Sequence, residues 1–213
     1  MLPKEINDIF EEYSEDEYSL YVTKVDYSGS NFIINFTLDV QNINDKGAFM
    51  QMWSIEATKH MKNHISFDSA QMIKFKDDHP LLWEFTDIQC ELYFSGDCKD
   101  TPKLFYDLYH THEKLFDKHQ NFNITFGEQT SNSKRFQYNN GLLAIGSKKL
   151  MKLYAECLKK NGLDFTIIAE HYAKHWNGQR FISEPNNLKI LLLGDTFVIA
   201  ENFSFEKLGE NSR

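Results

Sequence analysis

The sequence predicts an α+β protein: an antiparallel β-meander with an N-terminal and a middle helix, followed by a strand-helix-strand unit extended by β-hairpins. Three observations carry this reading. Phe32, Ile34, Phe36, Leu38 and Val40 alternate with Ile33, Asn35, Thr37, Asp39 and Gln41, the two-residue period of a strand that buries one face. Ile6, Ile9, Phe10 and Tyr13 fall at i, i+3, i+4 and i+7, the stripe of an amphipathic helix. From Gly141 to Phe205 a short strand, an amphipathic helix and further strands follow one another, punctuated by Asn177-Gly178 and Gly194-Asp195.

The N-terminal helix docks by its apolar stripe and leaves its acids on the other face. Tyr18 to Tyr27 precedes the alternating strand across Ser28-Gly29-Ser30-Asn31, which predicts a hairpin. Trp53, Ile55 and Ala57 continue the pattern beyond Asp45-Lys46-Gly47. Between Leu81 and Phe94 the apolar phase switches, with Trp83 and Phe85 at odd positions and Ile88, Cys90, Leu92 and Phe94 at even ones. A bulge or tight turn near Thr86-Asp87 is expected to restore one buried face.

Thr101 followed by Pro102 reads as an N-cap and a first helical residue, and Leu104, Phe105, Leu108, His112, Leu115 and Phe116 mark one face of the middle helix. From His119 to Asn140 the chain turns polar, with Ser131-Asn132-Ser133 at its centre, which suggests a loop or boundary. Leu142 to Ile145 then form a strand, and Ser147 caps a helix with Leu150, Met151, Tyr154, Cys157 and Leu158 on its apolar face. Asn161-Gly162 ends that helix through a left-handed residue. Leu163 to Trp176 and Gln179 to Ser183 pair across Asn177-Gly178, and Leu188 to Leu193 pairs with Thr196 to Phe203 across Gly194-Asp195. The implied organisation is a helix-plus-meander subdomain over 1–120, a polar boundary over 121–137 and a β-α-β-hairpin subdomain over 138–208, which can share one core.

Composition narrows the function classes. Of 213 residues 41% are hydrophobic and 15% aromatic, enough to fill a core. No apolar stretch is long enough to span a membrane, and the start of the chain is acidic where a signal peptide has a basic and then an apolar region. A cytoplasmic protein without a membrane partner is expected. Cys90, Cys98 and Cys157 are an odd set without a CxxC pair, which fits reduced thiols. Only Arg135, Arg180 and Arg213 among the 23 basic residues are arginine, the side chain best shaped for phosphate and base edges. With a net charge of −8, nucleic acid is not an expected partner.

The charge is concentrated. Residues 1–17 hold Glu5, Asp8, Glu11, Glu12, Glu15, Asp16 and Glu17 against Lys4 alone. Concentrated charge steers an oppositely charged partner, so Glu11, Glu12, Glu15, Asp16 and Glu17 are the candidate partner-binding residues, toward a basic protein.

Catalytic and metal chemistry finds no such support. His110 and His112 lie two apart on a helix and point to different sides, and His112 sits on the apolar stripe as a core histidine. His171 and His175 have helical zinc spacing but fall in a predicted strand, where four residues span about 13 Å. Cys90 and Cys157 occupy buried phases, while Cys98 lies in a turn beside Lys99 between Asp97 and Asp100. No GxSxG elbow is present. No catalytic residue, metal or cofactor is expected. A second, different reading is a protein that binds a small anionic ligand, or an enzyme that acts on one, in a pocket at the helix entrance Gly146, Ser147, Lys148 and Lys149, where free N–H groups, a hydroxyl and two lysines converge, although the spacing is not that of a Walker loop. Trp83 in His79-Pro80-Leu81-Leu82-Trp83 reads as core packing.

The segments His79-Pro80-Leu81-Leu82-Trp83, Leu92-Tyr93-Phe94-Ser95-Gly96, Gly141 to Tyr154 and Leu188 to Asp195 together resemble a family of small bacterial hypothetical proteins of unassigned function. The resemblance covers about the last two thirds of the chain and implies no catalytic residue. In size, acidity and meandering strands the chain is also similar in style to bacterial toxin-immunity proteins. The function expected is a cytoplasmic, non-enzymatic interaction module, an immunity-type inhibitor of a basic effector.

Overall fold

The computed structural model describes residues 2–28, 31–41, 47–122, 139–176, 179–183 and 187–212, and the fold is α+β with antiparallel sheets. In chain order come α1 (Lys4–Glu12), β1 (Tyr18–Ser28), β2 (Asn31–Val40), β3 (Phe49–Thr58), β4 (Lys62–His64) and β5 (Ile73–Lys76). A 3-10 turn (Pro80–Leu82), α2 (Trp83–Thr86), β6 (Ile88–Ser95), α3 (Thr101–Phe116), a second 3-10 turn (Asp117–His119) and β7 (Asn140–Ser147) follow. The chain continues with α4 (Lys148–Lys160), β8 (Asp164–Tyr172), β9 (His175–Trp176), β10 (Phe181–Ile182), β11 (Lys189–Leu193), β12 (Thr196–Ala200) and β13 (Asn202–Ser212). The predicted turn residues at 29–30, 45–46 and 177–178 and the polar stretch 123–138 lie outside the described residues.

Two compact units emerge, one of Met1–Asp78 with Asn187–Arg213 and one of His79–Asn186. The sequence reading places its boundary at 121–137. The division differs because the C-terminal strands add to the N-terminal sheets: β13 pairs with β3, and β11 and β12 pair with β5 and β4.

The first unit holds two four-stranded sheets, ordered β1-β2-β3-β13 and β4-β12-β11-β5. The predicted alternation in β2 is realised, with Phe32, Ile34, Phe36, Leu38 and Val40 all buried. In register, Phe36 lies between Val22 of β1 and Trp53 of β3. These side chains form one apolar cluster with Ile6 and Ile9 of α1, and with Leu191, Leu193, Val198 and Ala200 of the second sheet. Apolar burial of this kind is the dominant favourable contribution to folding.

The predicted strand Thr196 to Phe203 divides. Residues 196–200 form β12, buried on both faces, and after Glu201 the chain enters the other sheet as β13. The Gly194-Asp195 hairpin is present, with Leu193 opposite Thr196 across a two-residue loop and Gly194 at φ +57°. Thr196 fixes the neighbouring loop, because its hydroxyl accepts from the Ser66 N–H and donates to the Ser66 carbonyl.

In the second unit β6 lies between β7 and β8. The phase switch between Leu81 and Phe94 is a change of secondary structure rather than a bulge. Residues 80–86 are helical, Trp83 is half-buried on that turn, and the strand starts at Ile88. The cap of α3 is Asp100, whose carboxylate accepts from the Lys103 N–H at 3.0 Å, in place of the expected Thr101. An aspartate one residue earlier serves the same free N–H groups and suits the positive helix end.

Helix α4 ends as predicted. Gly162 takes φ +77°, its N–H reaches the Lys159 carbonyl, and the Leu163 N–H reaches Leu158. This is the Schellman arrangement, closed by the buried pair Leu158 and Leu163. Helices α3 and α4 are tied by polar links: Asp107 accepts from Lys160 and Asn161 at 3.0 and 2.9 Å, and Thr111 meets Cys157 at 3.2 Å. These donors, Asn161 first, hold the Asp107 carboxyl below the usual range. Among the described residues no helix is long and apolar enough to cross a membrane.

Candidate functional site

The N-terminal acids are placed by the packing of α1. Ile6 and Ile9 are buried, Phe10 stacks on Tyr18 at 5.1 Å, and Tyr13, just past the helix end, meets Phe49 edge-on at 6.1 Å. With that side fixed inward, Asp8, Glu11 and Glu12 face solvent, and the turn that follows exposes Glu15 and Asp16. The acids also act on their neighbours. Burial, then the charges of Glu12 and Glu17, push the Tyr13 phenol up, and burial, then Glu15, does the same to Tyr18.

Glu17 does not belong to the exposed set. It is buried, and its carboxylate accepts from both the Ser14 N–H and the Ser14 hydroxyl at 2.8 Å. The signal for this was in the sequence, since Ser14-Glu15-Asp16-Glu17 has the S-x-x-E spacing of a capping box. Glu5 is also used internally. Lys207 of β13 bridges Glu5 at 2.7 Å and Glu210 at 2.6 Å, and its ammonium lies 5.9 Å from the centre of the Trp53 ring. Gln51 continues this network, donating to Glu210 and accepting from the buried Trp53 N–H. The bonds to Glu210 and then Glu5 raise the Lys207 pKa, and Lys207 lowers that of Glu210. Asp8, absent from the sequence-derived set, joins Glu11, Glu12, Glu15 and Asp16 as an exposed acid.

The helix entrance at Gly146 to Lys149 is built as an N-cap. The Ser147 hydroxyl accepts from the Leu150 N–H at 3.2 Å. The Lys149 N–H, the group an anion would claim next, donates to the Asp87 carboxylate at 2.8 Å. Lys148 pairs with Glu170 at 2.6 Å, which raises its pKa, and the Lys149 ammonium lies 5.4 Å from the Trp83 ring centre. The chain thus supplies its own carboxylates where the second reading places a ligand anion. Ser147→Ala and Asp87→Ala are each expected to lower stability by about 1 kcal/mol, read by urea unfolding.

The remaining candidates separate. His112 is fully buried, His110 is exposed and stacked on Tyr106, and the exposed His171 ring bonds the Ala169 carbonyl. The side chain of His175 lies outside the described residues. His79 caps the 3-10 turn by accepting from the Leu81 N–H. Burial pushes the Cys90 and Cys157 thiols up, away from the reactive thiolate. Among the described residues no group of three or more His, Cys, Asp and Glu side chains is placed to hold a metal.

No protein-family model, curated protein or solved structure matches the chain. The sequence resemblance to small bacterial proteins gains no support from these comparisons.

Proposed function

We propose that this protein is a non-enzymatic interaction module of the bacterial cytoplasm that docks a basic partner protein, as an immunity-type inhibitor docks its effector. The docking surface is the outer side of α1 and the turn after it: Asp8, Glu11, Glu12, Glu15 and Asp16. One observation carries the reading, namely that these five carboxylates are exposed on a short segment whose apolar side is packed away. A surface of this kind raises the encounter rate with a cation-rich protein and disfavours acidic ones.

The test is a comparative pull-down from a bacterial lysate. Baits are the wild-type chain and a variant carrying Glu11→Lys, Glu12→Lys, Glu15→Lys and Asp16→Lys. The wild type is expected to retain a protein of high isoelectric point that the variant loses. Identical capture by both baits rejects the proposal. The four positions are exposed, so the variant is expected to fold with stability within about 0.5 kcal/mol per site.

A further inference from the structure

We propose that His112 is an acid-operated latch: anchored to α4 through Tyr154, its neutral ring holds Asp117–Phe122 against α3, and when the ring takes a proton that segment lifts. The ring is fully buried and joins three pieces of chain. Its Nε2 lies 2.9 Å from the Gln120 carbonyl, and its Nδ1 lies 2.7 Å from the Tyr154 hydroxyl of α4. A carbonyl only accepts, so Nε2 carries the hydrogen, and in the neutral ring Nδ1 must then accept from Tyr154. Phe116, at 4.5 Å between centroids, and Phe122, edge-on at 5.4 Å, close the ring off.

A proton on Nδ1 sets two donors face to face unless the Tyr154 hydroxyl gives up donating to the ring. It also places a cation among aromatic side chains. The bond to Gln120, and after it Glu113 on α3, favours the charged ring, while Asp117, Lys118 and His119 are the titratable groups of the latched segment itself. Burial outweighs these favourable contributions, and the folded pKa falls below the ordinary imidazole value. The sign follows by linkage. A ring exposed to water binds its proton first, so the closed form is fully favoured above about pH 6.5 and loses ground as pH falls toward the depressed folded value. Phe122, which packs edge-on against the ring, belongs to the segment that Gln120 anchors.

The experiment is a heteronuclear NMR titration of the full chain, following the His112 ring nitrogens and the amides of 117–122. The expected result is the Nε2–H tautomer at neutral pH and a ring midpoint below about 6.5. Gln120 and Phe122 should move toward disordered shifts at that same midpoint, while the amides of α3 and α4 persist. A midpoint at or above the ordinary value, or ring titration with 117–122 unmoved, overturns the proposal. His112→Gln should abolish the move of Gln120 and Phe122 toward disordered shifts on acidification, and persistence of that move would overturn the latch. Should that variant fail to fold, Tyr154→Phe serves instead. It removes the donor that favours the neutral ring and should raise the midpoint by about 0.4–1 pH unit, whereas an unchanged or lowered midpoint counts against the latch.

Discussion

Phe36→Ala is expected to lower the unfolding free energy by about 3–5 kcal/mol, the range for emptying a fully buried aromatic site. Phe36 is at the middle of β2, 1% exposed, with Val22 and Trp53 as its cross-strand neighbours. Truncation removes its transfer energy and leaves a cavity that β1, β2 and β3, fixed by paired backbones, cannot collapse to fill. Folded domains have about 5–15 kcal/mol in total, so a large share of the stability goes with this one side chain. Urea unfolding measures it, with the midpoint expected to fall and the slope to hold. A loss below about 1.5 kcal/mol, outside the range for emptied aromatic core sites, contradicts the placement of Phe36 at the centre of the core.

Gly194→Ala is the second large effect, at about 2–5 kcal/mol from left-handed backbone strain together with overpacking. The residue takes φ +57° in the β11 to β12 turn, and an added Cβ would stand 2.8 Å from the Cβ of Ala70. Ala70 is held in place by the bridge its backbone makes with Leu20, N–H to carbonyl in both directions. Gly162→Ala supplies the control. Its φ is +77° but nothing lies within 4 Å of the added carbon, so it carries backbone strain alone, about 1–2 kcal/mol. Equal losses at the two glycines, read from the same unfolding curves, would show that the Ala70 contact contributes nothing.

The parts of the fold legible in the sequence are those fixed by local periodicity and chain chemistry. The alternation from Phe32 to Val40, the stripe Ile6, Ile9 and Phe10, the Ser147 cap and the Gly162 stop each state their structure within a few residues. What was not legible depends on partners distant in the chain. Asp87 caps a helix that starts 61 residues later, and no local pattern marks that use. The passage from β12 to β13 reads as one strand because both halves are strand, and only the pairing of Phe203 with Ala57 reveals the change of sheet. The stretch 80–86 is apolar and too short for its period to separate a helical turn from a strand.

The candidate surface shows the same limit. Its charge was plain, whereas the burial of Glu17 and the capture of Glu5 by Lys207 depend on contacts that a charge count ignores. Ser14 and Glu17 were close enough to be read as a capping pair. Lys207, more than 200 residues from Glu5, was not. The effect is to shift the proposed docking surface outward, onto Asp8, Glu11, Glu12, Glu15 and Asp16.

Association kinetics put this docking surface to the test. The partner retained by the wild-type chain is mixed with wild type and with the variant reversed at Glu11, Glu12, Glu15 and Asp16, from low to high salt. Acid steering predicts a wild-type association rate that falls steeply with ionic strength, and a folded variant that associates about 10-fold or more slowly at low salt. Equal rates for the two chains, with the same dependence on salt, would contradict the proposal.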